Sequence, residues 1–92
     1  MDVSAFDAVV TGRVQGVGFR YYAQEHAAGL GLRGYVRNCG DGSVEIHAEG
    51  GLEDLKTFLL RLEKGPGHSR VDNLTFNWCV PSGTFTRFII DY

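Results

Sequence analysis

The sequence predicts an α+β fold of the ferredoxin-like type, in which two helices cover one face of an antiparallel-rich sheet of four to five strands. Two segments carry apolar residues at intervals of three and four, which is the period of a helix. Five shorter runs, rich in β-branched and aromatic residues, are separated by glycine and proline turns. Their order along residues 1–92 is βαββαβ with one further strand, so we expect a single domain.

The first strand is predicted at residues 5–11, which are rich in Phe, Ala, Val and Thr and stop at Gly12. A glycine-containing loop follows at residues 12–18. The next segment places one face of a helix at Phe19, Tyr22, Ala23, His26, Ala27 and Leu30. Gly29 and Gly31 supply the left-handed conformation that ends this helix.

Two antiparallel strands are predicted next, at residues 32–38 and 43–48, with an Asp-Gly hairpin turn at residues 41–42. The second helix follows and has the clearer periodicity, with an apolar stripe formed by Leu52, Leu55, Phe58, Leu59 and Leu62. Glu53 and Asp54 favour its N-terminal end through the helix dipole, and the Lys-Gly-Pro run at residues 64–66 ends it.

The last two strands are predicted from alternation and a turn. One face of a strand is indicated by Leu74, Phe76, Trp78 and Val80. The Pro-Ser-Gly turn at residues 81–83 leads into a terminal strand at residues 85–92. Strand and helix periodicity together assign to the core Phe6, Val10, Tyr22, Leu30, Leu55, Phe58, Leu62 and Phe76.

Composition excludes several classes of partner. The net charge of −2 lacks the basic excess that is typical of proteins that bind nucleic acids or acidic membranes. No stretch approaches the roughly eighteen apolar residues of a membrane span, and residues 1–5 lack the basic and apolar parts of a signal peptide. We therefore expect a cytoplasmic monomer without nucleic-acid or membrane partners, which recognises any anionic substrate locally.

Cysteine and histidine usage argues against a disulfide framework and against a metal site. Cys39 and Cys79 are too few for such a framework and lack metal-type spacing. We expect two reduced structural thiols, with one bridge between them as the alternative. His26, His47 and His68 have no paired spacing, so no metal is expected.

Residues 12–18 have the composition of an anion-binding loop. Gly12, Gly16 and Gly18 permit backbone conformations that aim successive N–H groups inward, and the predicted helix adds its unpaired N–H groups and positive dipole end. Arg20 stands at this junction, where its guanidinium can grip two phosphoryl oxygens. Taken alone, however, such a loop is more often a tight turn followed by a solvated arginine.

The residues between Gly12 and Arg20 exclude three common phosphate chemistries. No Lys or hydroxyl residue stands there, as a Walker loop requires, and the glycine spacing differs from the G-x-G-x-x-G of a Rossmann site. The loop also contains no Cys, Ser, Thr, Asp or His to be phosphorylated. Any hydrolysis at this loop must therefore use water and a reactive substrate.

Two segments resemble the signatures of the acylphosphatase family. Residues 12–20, GRVQGVGFR, are similar to the family's loop signature, and residues 34–38, GYVRN, are similar to its second signature. The separation of the two segments, the element order and the length fit as well. The resemblance therefore covers essentially the whole chain.

The resemblance implies an activity and the residues that carry it. Members of this family hydrolyse acyl phosphates to a carboxylate and inorganic phosphate, which is product and inhibitor, without a metal or cofactor. The phosphate is implied to bind the Arg20 side chain and the backbone N–H groups of Gln15, Gly16, Val17, Gly18, Phe19 and Arg20.

The family's catalytic asparagine maps onto Asn38, whose amide is implied to orient the attacking water. By itself, an asparagine before a Cys-Gly-Asp-Gly run is typical of a turn. The resemblance further suggests that the carboxylate of Tyr92 lies near Arg20.

Three other functions stay open at this point. A domain with the same signature opens large hydrogenase-maturation proteins, so the chain is alternatively a carbamoyl-phosphate-handling domain of that kind. A non-enzymatic phosphate-binding module would share the loop. An RNA-binding module shares the βαββαβ order, but its third strand carries stacking aromatics, whereas residues 43–49 read SVEIHAE.

Overall fold

The structure, a computed structural model, describes residues 2–92, and Met1 of the N-terminal segment considered above lies outside them. Helices and strands follow in the predicted order: β1 (Ser4–Arg13), α1 (Phe19–Gly29), β2 (Arg33–Asn38), β3 (Val44–Gly50), α2 (Leu52–Lys64), β4 (Arg70–Cys79) and β5 (Phe88–Asp91). The predicted ferredoxin-like α+β class is confirmed. Among the described residues, none of the helices has the length and apolar character needed to cross a membrane.

The five strands form one mixed sheet in the order β4-β1-β3-β2-β5. Neighbouring strands are antiparallel except β2 and β5, which pair in parallel. This parallel pair brings the last strand beside β2, the strand that ends at Asn38. The end of the chain therefore lies close to the second of the two sequence motifs.

β1 continues past its predicted end. The strand runs through Gly12 to Arg13, with a register shift between Thr11 and Gly12. Gly12 has a φ of 122°, and a Cβ at this position would collide with the carbonyl oxygen of Arg70. Glycine is therefore required here for the close approach of β4 as well as for the turn into the loop.

The core lies between the sheet and the two helices. Alternate residues of β1 and β3 face the helices, because side chains along a strand point to opposite faces in turn. The buried apolar residues of this layer include Phe6, Ala8, Val10, Phe19, Ala23, Ala27, Val44, Ile46, Ala48, Leu55, Phe58 and Leu62. The Phe58 ring joins α2 to two strands, with its centroid 6.2 Å from that of Phe6 and 5.7 Å from that of Phe88. Burial of each such side chain contributes roughly 1.5–3 kcal/mol.

The core prediction is confirmed for most residues and wrong for one. Fully buried are Phe6, Val10, Leu55, Phe58 and Leu62. Tyr22 and Leu30 are half-buried, and Phe76 is 41% exposed. Phe76 points toward the helix side, as its alternation predicts, but β4 is an edge strand. Alternation assigns a residue to a face and does not reveal how far the helices cover that face.

The connection between the last two strands crosses the sheet. Because β4 and β5 lie at opposite edges, residues 80–87 must pass from one edge to the other. They pass over the face away from the helices, where the Phe85 ring lies 5.9 Å from that of Tyr35 and 5.4 Å from that of His47. The terminal strand therefore begins at Phe88 and not at residue 85 as predicted.

A buried carboxylate holds this crossing segment. Glu49 is 1% exposed and accepts hydrogen bonds from the N–H of Ser82 (2.8 Å), the hydroxyl of Ser82 (2.8 Å) and the N–H of Gly83 (3.1 Å). His47 Nε2 lies 2.6 Å from the same carboxylate. Burial acts to raise the pKa of Glu49, but the hydrogen bonds from His47, Ser82 and Gly83 outweigh it and lower that pKa to about 2. The carboxylate is thus ionised and fully bonded at neutral pH.

Replacing Glu49 with glutamine should lower the free energy of unfolding by about 3–5 kcal/mol, because the change leaves the donors of the buried cluster without their anion. Urea unfolding at pH 7 measures this. Glu63→Gln is the matched control, since Glu63 is exposed on α2 and its change should stay within about 0.5 kcal/mol. Equal effects of the two substitutions would show that the cluster does not hold the crossing segment.

Candidate active site

The loop between β1 and α1 has the backbone of an anion-binding nest. Gly16 and Gly18 have φ values of 73° and 79°, in the left-handed region, and Gly18 is the N-cap of α1. The N–H of Tyr22 donates to the Gly18 carbonyl at 3.0 Å as the first helical hydrogen bond. The N–H groups that precede it have no helical acceptor, and the first turn holds no acidic residue to occupy them.

The side chain of Gln15 ties this loop to the β2–β3 hairpin. Its Nε2 donates to the carbonyls of Cys39 (2.8 Å) and Ser43 (2.9 Å). Asp41 stabilises the hairpin turn, because its carboxylate accepts hydrogen bonds from the N–H and the hydroxyl of Ser43 at 2.9 and 2.6 Å. The loop and the residue that precedes the turn, Asn38, are therefore fixed relative to each other.

Asn38 carries an unusual buried atom. It is the last residue of β2, opposite Val44, and lies on the same side of the sheet as the buried Val36. Its Oδ1 is buried and has no hydrogen-bond partner among residues 2–92. Native proteins leave few buried polar atoms unpaired, because each costs about 1–3 kcal/mol. This oxygen is thus an acceptor available to a water molecule or a ligand.

Arg20 is the cation of the site. It lies in the first turn of α1, is half-buried and forms no ion pair with any described residue. Its Cζ lies 5.1 Å from the centroid of the Tyr92 ring, a cation–π contact. The aromatic ring of Tyr92 therefore contacts Arg20, whereas the carboxylate that was expected near Arg20 makes no ion pair with it. The positive charge is left free for an anion.

These groups meet in one cavity of about 210 Å³. Its lining residues are Val14, Gly16, Gly18, Phe19, Arg20, Tyr21, Asn38, Ile90 and Tyr92. The structure thus brings Arg20 and Asn38 together, as predicted from the two motifs. None of these lining residues has a carboxylate, an imidazole or a thiol in its side chain. The described side chains of the cavity can therefore bind and position an anion but supply no strong base.

The side chains of the predicted loop residues mostly point away from the cavity or are absent. The Gln15 side chain bonds to the hairpin, the Phe19 side chain is 1% exposed in the core, and Val17 packs against that core. These residues therefore have backbone N–H groups, and not side chains, to offer to a phosphate. Gly16 and Gly18 line the cavity directly.

Sequence reasoning missed part of the cavity wall. Tyr21 and Ile90 line the cavity, and neither was singled out from the sequence. Tyr21 is exposed and adjoins Arg20, so its position beside the motif was an available signal. Ile90 reaches the cavity through the parallel pairing of β2 with β5, in which it lies opposite Val36. No local sequence pattern predicts that pairing.

The fold is a small α+β domain whose cavity combines a backbone nest, a guanidinium without an ion pair and an unpaired amide oxygen. The chain belongs to the acylphosphatase family, because the sequence model of that family, described as Acylphosphatase, matches residues 6–90. It is 49% identical over 76 residues to an acylphosphatase from Thermus thermophilus, covering 83% of this chain and 86% of that protein.

Solved structures are similar over nearly all of the chain. An acylphosphatase from Bacillus subtilis superposes with a TM-score of 0.93 at 38% identity and covers 97% of this chain and 99% of its own. Full-length HypF in a phosphate- and nucleotide-bound form superposes with a TM-score of 0.91 at 27% identity, covering 99% of this chain but 12% of its own.

The left-handed glycine of the loop allows a matched test. A Cβ on Gly18 or on Gly29 would meet no atom within 4 Å, so the two positions differ in backbone conformation and not in space. Gly18→Ala should lower the free energy of unfolding by about 1–2 kcal/mol, because its φ is positive. Gly29→Ala, within α1, should raise it by up to about 1 kcal/mol. Chemical denaturation measures both, and a neutral or stabilising Gly18→Ala would contradict the nest conformation.

Proposed function

We propose that this chain hydrolyses acyl phosphates to a carboxylate and inorganic phosphate by attack of water on phosphorus. Membership of the acylphosphatase family supports the reaction class. The observation that carries the mechanism is the buried, unpartnered Oδ1 of Asn38, a residue that lines the same cavity as Arg20. A site built only to bind phosphate would not need a buried acceptor, because phosphate itself is rich in acceptors.

The phosphoryl group binds the loop that begins α1. The backbone N–H groups of residues 15–20 and the guanidinium of Arg20 surround its oxygens, with Gly16 and Gly18 supplying the required backbone conformation. Arg20 forms a charge-assisted, bidentate contact and neutralises negative charge on the equatorial oxygens as the transition state forms. The Tyr92 ring holds the guanidinium at the cavity.

Asn38 orients the nucleophile. Its Oδ1 accepts a hydrogen bond from water, which turns an oxygen lone pair of that water toward phosphorus, in line with the departing carboxylate. The substrate's own phosphoryl oxygen receives the proton. This assignment is supported by the lining of the cavity, in which no described side chain is a carboxylate or an imidazole.

The leaving group needs little help from the protein. A carboxylate has a low pKa and departs without a strong general acid, so the reaction does not need a proton donor beside the leaving oxygen. Charge stabilisation and positioning are then sufficient for a reactive acyl phosphate. No part of this scheme requires a metal or cofactor, and inorganic phosphate acts as product and inhibitor.

The proposal includes a cytoplasmic monomer that acts on a small-molecule substrate without nucleic-acid or membrane partners. Both Cys39 and Cys79 are free thiols, as is typical of a reducing compartment.

The rival functions have less support. The full-length HypF structure is 27% identical to this chain, whereas the Thermus acylphosphatase is 49% identical over 76 residues. An RNA-binding surface on β3 is disfavoured because His47 and Glu49 are buried there, beside Ser82 and Phe85 of the crossing segment. A phosphate-binding module without activity would give no turnover in the experiment that follows.

Two substitutions should separate phosphate binding from water orientation. With benzoyl phosphate as substrate, Arg20→Ala should lose turnover and weaken inhibition by inorganic phosphate roughly tenfold to hundredfold, because it removes a contact worth about 1.5–3 kcal/mol. Asn38→Ala should lower kcat by about 10²-fold while phosphate inhibits at nearly its original concentration.

Asn73→Ala on the exposed part of β4 is the control and should leave kcat and phosphate inhibition unchanged. Equal weakening of phosphate inhibition in the Arg20 and Asn38 variants would make Asn38 a phosphate ligand. Normal turnover by a folded Asn38→Ala variant would remove Asn38 from the mechanism. Absence of hydrolysis by the unmodified protein, with phosphate still bound, would favour the binding module.

A further inference from the structure

Three side chains of the types that bind metals meet on the face of the sheet away from the helices. Asp7, His47 and Cys79 come from the adjacent strands β1, β3 and β4, and their ligand atoms all lie within 4.8 Å of one another. The sheet register explains the meeting. Asp7 pairs with His47 across β1 and β3, and Cys79 pairs with Ala5, two residues before Asp7 and therefore on the same face.

The imidazole of His47 is held with one nitrogen toward this cluster. His47 is 9% exposed, its Nε2 lies 2.6 Å from Glu49 and its Nδ1 lies 2.7 Å from Asp7 Oδ1. Glu49 also accepts from Ser82 and Gly83, so it acts as an acceptor and fixes a hydrogen on Nε2. A carboxylate behind the outer nitrogen of a histidine is the arrangement that orients metal-binding imidazoles.

His47 Nδ1 and Asp7 Oδ1 lie 2.7 Å apart, which is a hydrogen-bond distance and places a proton between them when no metal is bound. Cys79, partly buried at the same point, adds a sulfur atom beside the same carboxylate. A nitrogen, an oxygen and a sulfur atom from three strands therefore converge on one point of the sheet surface.

We propose that Asp7, His47 and Cys79 bind a divalent ion of the zinc type. Carboxylate oxygen, imidazole nitrogen and thiolate sulfur are the three ligand types that zinc takes in proteins, and the sulfur disfavours magnesium and calcium. Binding releases the Nδ1 proton and the thiol proton of Cys79, because these ligands bind as neutral imidazole and thiolate. The exposed Asp7 side chain moves outward to admit the ion, since nitrogen and oxygen ligands about 2 Å from a tetrahedral zinc lie farther apart than the present 2.7 Å. Water takes the fourth position on the exposed side of Asp7, whose side chain is 57% exposed.

The ion would act on the fold and not on the hydrolysis. Asn38 lies on the helix side of the sheet, whereas Asp7, His47 and Cys79 lie on the opposite face. One ion would join three neighbouring strands, including the edge strand β4. Residue spacing along the chain could not predict this site, because its ligands are far apart in the sequence and meet only through the register of the strands.

Cobalt(II) titration of the purified, metal-stripped protein tests the site, because a cobalt–thiolate bond gives a charge-transfer absorption in the near ultraviolet. One equivalent should bind, and zinc should displace it. Cys79→Ser should abolish the absorption, whereas Cys39→Ser, which changes the other partly buried free thiol, should retain it. No charge-transfer band, or a band that survives Cys79→Ser, would overturn the proposal.

Thermal unfolding keeps the test decisive if a variant folds poorly. Zinc should raise the Tm of the unmodified protein and of Cys39→Ser, since a ligand that binds the folded state stabilises it. Asp7→Asn changes the exposed ligand itself. It should weaken zinc binding by more than the roughly 10–100-fold that follows loss of a residue that only hydrogen-bonds to a ligand. A Tm that does not respond to zinc, or responds equally in Asp7→Asn, would mean that His47 bridges two carboxylates with protons alone.

Discussion

The two hydrogen bonds from the Gln15 side chain to the carbonyls of Cys39 and Ser43 are the constraint on which the site depends. The nest and Arg20 belong to the β1–α1 connection, whereas Asn38 belongs to a hairpin that follows in sequence. The backbone pairing of β1 with β3 brings the loop and the hairpin to the same end of the sheet, and the Gln15 amide then fixes the loop against the hairpin turn. One amide bonded to two carbonyls places the acceptor of Asn38 and the donors of the loop on either side of the same cavity.

The cavity is arranged at some cost to the stability of the fold. Arg20 has no carboxylate partner and Asn38 Oδ1 has no donor among residues 2–92, although pairing each would stabilise the protein. Elsewhere the polar groups are well satisfied, as at Glu49, which accepts four hydrogen bonds. Unsatisfied groups concentrated in one cavity are typical of a functional site, where substrate and water complete the bonding.

Local sequence patterns were sufficient for the element order, both helices and the two motifs, because helical and strand periods are local. They were insufficient for features set by distant pairing. The exposure of Phe76 depends on the edge position of β4, and the contribution of Ile90 to the cavity depends on the parallel pairing of β5 with β2. The Glu49 cluster depends on where the crossing segment passes, which no spacing along the chain encodes.

The most direct test of the account is hydrolysis of benzoyl phosphate in ¹⁸O-labelled water, followed by mass analysis of both products. Water held by Asn38 against a phosphoryl group in the Arg20 nest attacks phosphorus, so the label should appear in inorganic phosphate and the benzoate should stay unlabelled. Label in the benzoate would mean attack at the acyl carbon, and the proposed roles of Arg20 and Asn38 would then be wrong.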